Sequence, residues 1–323
     1  MIEIFIVPQN QFISTGVYGV MDILDGANLL SKKVSGRKLF NNRVLTSDGK
    51  PVTSFNGTTI TPEGTAINYT DPDVVIIPPV LLHGNDCISL NPQLKKWIIE
   101  RHGKGSIVAA VGTGVFLLAE TGLLDNRLAT THWIYRNKFR RTFPKVILNP
   151  EKMVTEEDNL ICTGAMMGFL SMILLLIEKY GSKELMHLCS KSMIIDPESK
   201  SHLPFMGFLS EVSHSDNAVK KAQSLMGDNY NKNLNIDFIA RESGLSLRHF
   251  RRRFKKATGA SPNEYLQRLK IEKAKKILEE TEEPVSQITL RVGYEETSSF
   301  YRMFKKNTGV SPKMYRELYN KRN

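Results

Sequence analysis

The chain has 323 residues, of which 41% are hydrophobic and 24% charged, and it carries a formal net charge of +11. This length suits two domains of about 150 residues each, and the composition is that of a globular protein rather than of a disordered or collagen-like chain. The three cysteines, Cys87, Cys162 and Cys189, are odd in number and not closely spaced, which argues against a disulfide framework.

The N-terminus begins directly with a strand-like run, MIEIFIV, and lacks the basic region, apolar region and cleavage site of a secretory signal. The most apolar segment, residues 166–177, is shorter than the roughly 18 residues that cross a bilayer, so we expect a buried helix there. No C-x-x-C or histidine-rich spacing suggests a metal site. We therefore expect a cytoplasmic protein without a metal, a cofactor or a membrane partner.

Short apolar strands alternate with helices through the first two thirds of the chain. Strands are predicted at 2–7, 41–47, 74–78 and 106–111, and helices at 17–30, 91–100 and 114–124. Almost wholly apolar strands between helices are typical of a mainly parallel sheet covered on both faces. The sequence therefore predicts an α/β domain with flavodoxin-like layering over residues 1–195, followed by a linker at 196–215.

Two turns in this domain follow an apolar strand and open a helix, which is the arrangement of a nucleophile elbow. The first has Gly112 at its crest. Its G-T-G is a poor match to a dinucleotide fingerprint, because Leu117 stands at the third glycine position. The second turn carries Cys162, which we expect at a helix N-terminus, where a thiolate is stabilised. Buried cysteine is common as a small hydrophobic residue, and that interpretation is favoured over a nucleophile or a redox sensor.

Nearly all of the excess positive charge lies in the last third of the chain. Residues 213–323 hold 23 Lys and Arg against 13 Asp and Glu, a net charge of +10, whereas residues 1–212 hold 21 against 20, a net charge of +1. The same region contains a repeat, FRRRFKKATGASPNEY at 250–265 and FYRMFKKNTGVSPKMY at 300–315. A basic, duplicated domain attached to a neutral one indicates a polyanionic partner, most often nucleic acid. A basic surface that only confers solubility is the alternative.

Each copy has the pattern of a short helix, a glycine-marked turn and a second helix, as in a helix-turn-helix motif. In the first copy Gly244 marks the turn and Ser246 can cap the second helix. Phe250, Phe254 and Ala257 share one face of that helix and are predicted to be buried. The outer face carries the residues predicted to contact DNA, which are Arg248, Arg251, Arg252 and Lys255.

In the second copy, Phe300 and Phe304 are predicted to point inward. The predicted DNA contacts of this copy are Thr297, Ser298, Tyr301 and Arg302. Between the copies, Ser261 and Glu264 form a capping box that opens a helix long enough to act as a spacer. If both second helices meet one duplex, they should occupy successive major grooves about 34 Å apart.

The C-terminal residues resemble the AraC-type DNA-binding domain. The resemblance covers about 213–323 and rests on IARESGLS at 239–246, on the F-K-K-x-T-G-x-S-P-x-x-Y pattern of both copies and on G-Y-x-x-x-S-x-F at 293–300. It implies an all-α domain with two helix-turn-helix motifs whose outward residues contact bases, in agreement with the faces assigned by helical spacing. A solvated helix face remains the alternative for individual residues.

The first 195 residues resemble the PfpI-like branch of the class I glutamine amidotransferase-like fold. The resemblance rests on DPDVVIIP at 71–78, GTGVFLLAETGLLD at 112–125, ATTHW at 129–133 and CTGA at 162–165. Catalytic relatives have a cysteine at the position of Gly112 and a histidine at the position of His132. They also have P-G-G where this chain reads Pro78-Pro79-Val80, and proline has no N–H for an oxyanion hole. The resemblance therefore implies a domain that has lost its nucleophile and an oxyanion donor.

The sequence thus predicts a non-enzymatic, DNA-binding regulator of transcription with its AraC-type domain at 216–323. A small-molecule effector is expected near Gly112, Thr113 and His132, because this turn adjoins the substrate pocket in the family. A dimerisation domain without a ligand is the alternative, and a structural role is an equal alternative for His132. The expected partners are double-stranded DNA and a second copy of the chain, with RNA polymerase as a further candidate. The competing hypothesis is a cysteine-dependent amidase or hydrolase fused to a DNA-binding domain.

Overall fold

The computed structural model describes residues 1–69, 71–82, 89–195 and 214–320. The chain divides into two compact units, Met1–His202 and Leu203–Asn323. Most of the predicted linker, and Cys87, lie outside the described residues, so the bounds of the linker stay a prediction.

The N-terminal unit is built on a mixed sheet of seven strands. The strands of this unit are β1 Ile2–Ile6, β2 Phe40–Thr46, β3 Val52–Thr53, β4 Thr59–Ile60, β5 Gly64–Thr65, β6 Val74–Ile77, β7 Ile107–Val111, β8 Leu128–Ala129, β9 Ile147–Leu148, β10 Val154–Glu157 and β11 Leu160–Thr163. The large sheet has the order β10-β11-β7-β6-β1-β2-β5, and β3-β4 and β8-β9 form two small pairs. All neighbours in the large sheet are parallel except β10 and β11. The order β2-β1-β6-β7-β11 is the doubly wound order of flavodoxin-like folds, so the predicted fold class is confirmed.

Helices cover both faces of this sheet. They are α1 Thr15–Ser35, α2 Pro92–Gly103, α3 Gly114–Glu120, α4 Arg136–Thr142, α5 Phe169–Tyr180 and α6 Lys183–Ser192. Because successive strand residues point to opposite faces, Ile4 and Ile6 of β1 pack with α1, α5 and α6, whereas Phe5 packs with α2, α3 and α4. Burial on both faces explains why the central strands are almost wholly apolar in sequence.

The apolar segment 166–177 forms a 3-10 turn, Met166–Gly168, and most of α5, whose inner residues lie in the core as predicted. Among the residues that the structure describes, no helix is both long enough and apolar enough to cross a membrane.

The C-terminal unit consists of helices joined by turns and loops over its described residues, 214–320, with no strand among them. Its helices are α7 Asn217–Asp228, α8 Ile236–Glu242, α9 Leu247–Thr258, α10 Pro262–Glu280, α11 Val285–Arg291, α12 Thr297–Thr308 and α13 Pro312–Tyr319. One hydrophobic cluster joins α7, α8 and α9 to the first half of α10, and a second joins α11, α12 and α13 to its second half. The unit therefore consists of two modules, and both pack against α10.

Candidate nucleic-acid interface and the Gly112 turn

The first helix-turn-helix motif consists of α8 and α9. Phe250 and Phe254 are fully buried against α7, α8 and α10, and Ala257 is partly buried, which confirms the predicted inner face. The opposite face of α9 is exposed, and it carries the four predicted contact residues Arg248, Arg251, Arg252 and Lys255. A helix with one face anchored and a basic face open to solvent suits insertion into a major groove.

Arg253 is the exception in the arginine run of α9. Its Nε and Nη2 atoms donate to the two carboxylate oxygens of Asp216, at 2.8 Å each. Asp216 also caps α7 by accepting from the N–H of Val219, and the hydrogen bonds from Arg253 lower the pKa of this carboxyl group. Arg253 therefore fastens α9 to α7, while Arg251 and Arg252 stay on the outer face.

The second motif consists of α11 and α12. Phe300 and Phe304 are fully buried, as predicted. The four predicted contact residues of this copy are all exposed and they are Thr297, Ser298, Tyr301 and Arg302. Glu296 stands at the N-cap of α12, and this helix carries fewer basic residues than α9. The two modules therefore expose chemically different helix faces.

The spacer helix α10 begins as the sequence predicts. The Ser261 hydroxyl accepts from the Glu264 N–H at 3.3 Å, and the Glu264 carboxylate accepts from the Ser261 N–H at 2.8 Å. This reciprocal capping box satisfies two N–H groups that the helix leaves without partners. Ser246 occupies the N-cap position of α9 as expected, but its side chain makes no capping hydrogen bond in the structure as described.

In the N-terminal unit, the turn between β7 and α3 keeps the backbone of an elbow. Gly112 has φ of +55°, a left-handed conformation that favours glycine. Its N–H donates to the Thr163 carbonyl oxygen at 3.0 Å, and its own carbonyl oxygen accepts from the Thr131 hydroxyl at 2.8 Å. A Cβ atom built on Gly112 would lie 3.4 Å from the Ala165 carbonyl group, at contact distance. The turn therefore retains room for a Cβ atom, and no nucleophile stands there.

At Pro79 and Val80, where the catalytic relatives have oxyanion donors, no backbone N–H is free. The Thr113 hydroxyl accepts from the Val80 N–H at 3.0 Å and donates to the Val80 carbonyl oxygen at 2.5 Å. The Val80 N–H is therefore engaged within the fold, and Pro79 has no N–H to offer. Thr113 is buried, and its hydroxyl serves to hold the segment after β6 against the turn.

His132 follows directly after Thr131, the residue that hydrogen-bonds Gly112. It caps the 3-10 turn Trp133–Tyr135, because its Nδ1 atom accepts from the Ile134 N–H at 3.3 Å. The ring stacks on that of Trp133, with centroids 5.9 Å apart, and its desolvation lowers the pKa of His132. Thr131 belongs to the ATTHW motif, but the sequence alone does not predict its contact with Gly112. The hydroxyl beside the histidine is the signal that would have identified it.

Cys162 does not lie at a helix N-terminus, and that expectation is wrong. It belongs to strand β11, paired with β7 on one side and β10 on the other, and α5 begins only at Phe169. Its thiol is completely buried, which raises the pKa of Cys162 to about 12. A protonated thiol inside a sheet is a packing residue, which is the role that the sequence favours.

Cys189 is buried in α6, and desolvation raises the pKa of its thiol as well. Over the described ranges, no cluster of three or more His, Cys, Asp or Glu side chains is arranged to hold a metal ion.

The comparisons with known proteins divide the chain in the same way. The sequence profile of the DJ-1/PfpI family matches residues 5–179, and the profile of a helix-turn-helix domain matches residues 239–318.

Three similar proteins from Pseudomonas aeruginosa are named as transcriptional regulators. The chain is 26% identical over 216 residues to the HTH-type transcriptional regulator ArgR, covering 66% of this chain and 64% of ArgR. It is 22% identical over 264 residues to the regulator CdhR, covering 82% and 78% of the two chains. It is 24% identical over 294 residues to the regulator GbdR, covering 89% and 78%. The match thus spans slightly less than two thirds of the length of ArgR and more of the other two.

Solved structures resemble the N-terminal unit. An AraC family transcriptional regulator from Pseudomonas putida superposes with a TM-score of 0.52 at 18% identity, over 60% of this chain and 100% of that one. A mutant of a DJ-1 superfamily protein from Salmonella typhimurium superposes with a TM-score of 0.50 at 15% identity, over 61% and 100%. At these identities the likeness establishes the fold alone.

Proposed function

The chain belongs to the DJ-1/PfpI family, and from this premise we propose that it is a sequence-specific DNA-binding regulator of transcription whose N-terminal domain is a sensor rather than an enzyme. The observation that carries the proposal is the duplicated helix-turn-helix motif. In both copies two phenylalanines anchor the second helix, and the residues on its other face are exposed. The regulators with which the chain shares both domains support the same conclusion.

The charge of the C-terminal domain supports DNA as the partner. The α9 helix carries six lysines and arginines and no acidic residue, and only Arg253 among its arginines is held by an ion pair in the structure as described. Arg248, Arg251, Arg252 and Lys255 lie on one exposed surface, which suits phosphate and guanine contacts. The more polar face of α12, with Tyr301 and Arg302, would read a second half-site.

For the N-terminal domain we propose an effector site beside Gly112, Thr113 and His132. Nδ1 of His132 accepts a hydrogen bond, and desolvation lowers its pKa and so favours the neutral ring; in that form the proton of the imidazole lies on Nε2. The histidine would therefore donate to an oxygen atom of the effector. Thr113 would line the site through its backbone, since its hydroxyl is engaged with Val80.

The DNA-binding proposal is tested by selecting duplexes from a random pool with the full chain and footprinting the enriched duplexes. We expect one enriched motif with two protected segments on one side of the duplex, about 10–10.5 base pairs apart. Recovery of unrelated sequences, or equal affinity for selected and random duplexes, would show that the domain does not read sequence.

The effector proposal is tested by a thermal-shift screen of small metabolites against the full chain and against His132→Ala. A compound that raises the melting temperature of the wild type but not of the variant supports the site. If no compound does so while DNA binding is intact, the dimerisation-only alternative is favoured.

The hydrolase alternative is tested on the same preparation with small amides and esters as substrates. The proposal requires that no turnover above background is seen. Turnover that survives purification and disappears in Cys162→Ser would instead establish the cysteine-dependent enzyme.

A further inference from the structure

The turn of the second helix-turn-helix motif is held by contacts that the first turn does not have. Gly244 and Gly293 mark the equivalent turns of the two repeats, and both have left-handed backbones, with φ of +72° and +80°. A Cβ atom built on Gly244 would meet nothing within 4 Å. A Cβ atom on Gly293 would lie 2.5 Å from the carbonyl oxygen of Asn231, in the segment between α7 and α8 of the first module. The turn of the second module therefore presses directly on the backbone of the first.

A buried lysine of the spacer helix α10 is hydrogen-bonded to the same turn. Lys270 of α10 is only 7% exposed, and its Nζ atom donates to the Gly293 carbonyl oxygen at 2.7 Å. The same Nζ lies 5.3 Å from the centre of the Tyr294 ring, a cation–π distance. Desolvation lowers the pKa of Lys270, and the nearby carboxylate of Glu295 opposes this. Burying an ammonium group is unfavourable unless it is hydrogen-bonded, so this contact is specific rather than incidental.

A second polar contact joins the same two elements one helical turn earlier on α10. The Tyr294 hydroxyl donates to the Gln267 Oε1 atom at 2.5 Å. Tyr230, which lies in the segment that contacts Gly293, packs against the hydrophobic clusters of both modules, and Lys273 of α10 lies over its ring. Helix α10, the first module and the second turn thus meet at one place.

We propose that these contacts form a clamp that fixes α12 relative to α9, the two recognition helices, before DNA is bound. The clamp is made of Asn231, Gln267, Lys270, Gly293 and Tyr294. The regulator then reads the spacing between its two half-sites as well as their sequences. Lys270 is a positioning residue in this scheme, because it acts on the second module through Gly293 and Tyr294. The proposal rests on the DNA-binding function proposed above.

The test uses the full chain and the duplex it selects from a random pool, together with derivatives that carry one or two extra base pairs between the protected segments. The wild type should lose at least about tenfold in affinity for each altered spacing, because a rigid pair of helices cannot follow both half-sites. In Lys270→Met and Gly293→Ala the selected duplex should bind more weakly, but the loss caused by extra base pairs should fall below about threefold. Gly244→Ala has the same backbone strain without the contact, so it should keep the spacing penalty of the wild type.

A measurement without DNA checks the same clamp. Spin labels on unnatural amino acids at the exposed positions Lys256 and Lys306, which are equivalent in the two repeats, report the distance between the recognition helices. We expect a narrow distribution in the wild type and in Gly244→Ala, and a broad one in Lys270→Met. A narrow distribution in a folded Lys270→Met chain, or a wild type that tolerates altered spacing, would overturn the clamp. If no duplex is selected at all, it is the DNA-binding function that fails, and the label distances still decide whether the clamp exists.

Discussion

Neighbouring arginines of α9 do different work, and this difference is visible only residue by residue. Arg252 lies on the exposed face, whereas Arg253 binds the carboxylate of Asp216 with two hydrogen bonds. Bidentate arginine contacts to guanine discriminate between bases, while an intramolecular ion pair only holds a helix in place. The two positions therefore provide a matched pair of substitutions.

Arg252→Ala should weaken binding to the selected duplex by about 1–3 kcal/mol, with a smaller loss on random DNA, because a base contact is removed. Arg253→Ala should lower the melting temperature and weaken both duplexes to a similar extent. Fluorescence anisotropy on the two duplexes, with thermal melting of each variant, separates these effects. Equal losses on both duplexes for Arg252→Ala would remove it from the sequence-reading surface.

Restoring the missing nucleophile should not restore an enzyme. Gly112→Cys should fold, since a Cβ atom fits at contact distance, but the left-handed backbone should cost about 1–3 kcal/mol of unfolding free energy. Ester turnover should stay at background, because the Val80 N–H is held by Thr113 and Pro79 has none. Denaturant titration and an ester assay measure both outcomes, and clear turnover would mean that other donors complete an oxyanion hole.

The thiol of Cys162 should be inert in the folded protein. Burial raises the pKa of Cys162 from 9.0 to about 12, so the thiol stays protonated at neutral pH. An unfolded chain loses this proton first as the pH rises, and this group therefore disfavours folding as the pH increases from about 9 to 12. Iodoacetamide labelling followed by mass spectrometry should modify Cys162 only after denaturation. Rapid labelling of native protein at pH 8 would contradict the burial.

At the scale of elements, the helix starts of the C-terminal domain differ in how they are capped. Ser261 makes both bonds of a capping box with Glu264, while Ser246 stands at an N-cap without a side-chain bond. Ser261→Ala should therefore destabilise the domain by about 0.5–2 kcal/mol. Ser246→Ala should have a clearly smaller effect in the same urea titration. The opposite ranking would mean that α9 acquires its cap in solution.

At this scale, the sequence predicts those elements that have a local pattern. The alternation of apolar strands and helices gave the doubly wound sheet, and the repeat gave both helix-turn-helix motifs, because these patterns express local periodicity. The prediction that Cys162 lies at a helix N-terminus is wrong, because the segment between this residue and α5 is longer than the sequence pattern indicates. The strand β11 continues to Thr163, and a 3-10 turn precedes α5.

At the scale of the whole molecule, the charge is divided between a neutral N-terminal part and a basic C-terminal part, with net charges of +1 and +10. Binding to DNA should therefore weaken steeply with salt. Lys255→Ala should reduce the slope of log K against log salt by about 0.9 and weaken selected and random duplexes alike, as expected for one phosphate contact. Lys38→Ala, an exposed lysine of the N-terminal unit, should leave the slope unchanged. A slope that responds equally to both substitutions would show a non-specific charge effect.

The resemblance to the PfpI-like fold implied the loss of a nucleophile at Gly112. The sequence by itself determined the fold class, the repeat, and the inner and outer faces of α9 and α12. These properties depend on residue type and on spacing along the chain, which a sequence displays directly. Only the tertiary structure decided that Arg253 is bound to Asp216, that the Thr113 hydroxyl is hydrogen-bonded to the Val80 backbone, and that Lys270 is buried against Gly293. Each of those contacts joins residues more than twenty positions apart, and their partners are chosen by packing, which local periodicity does not encode.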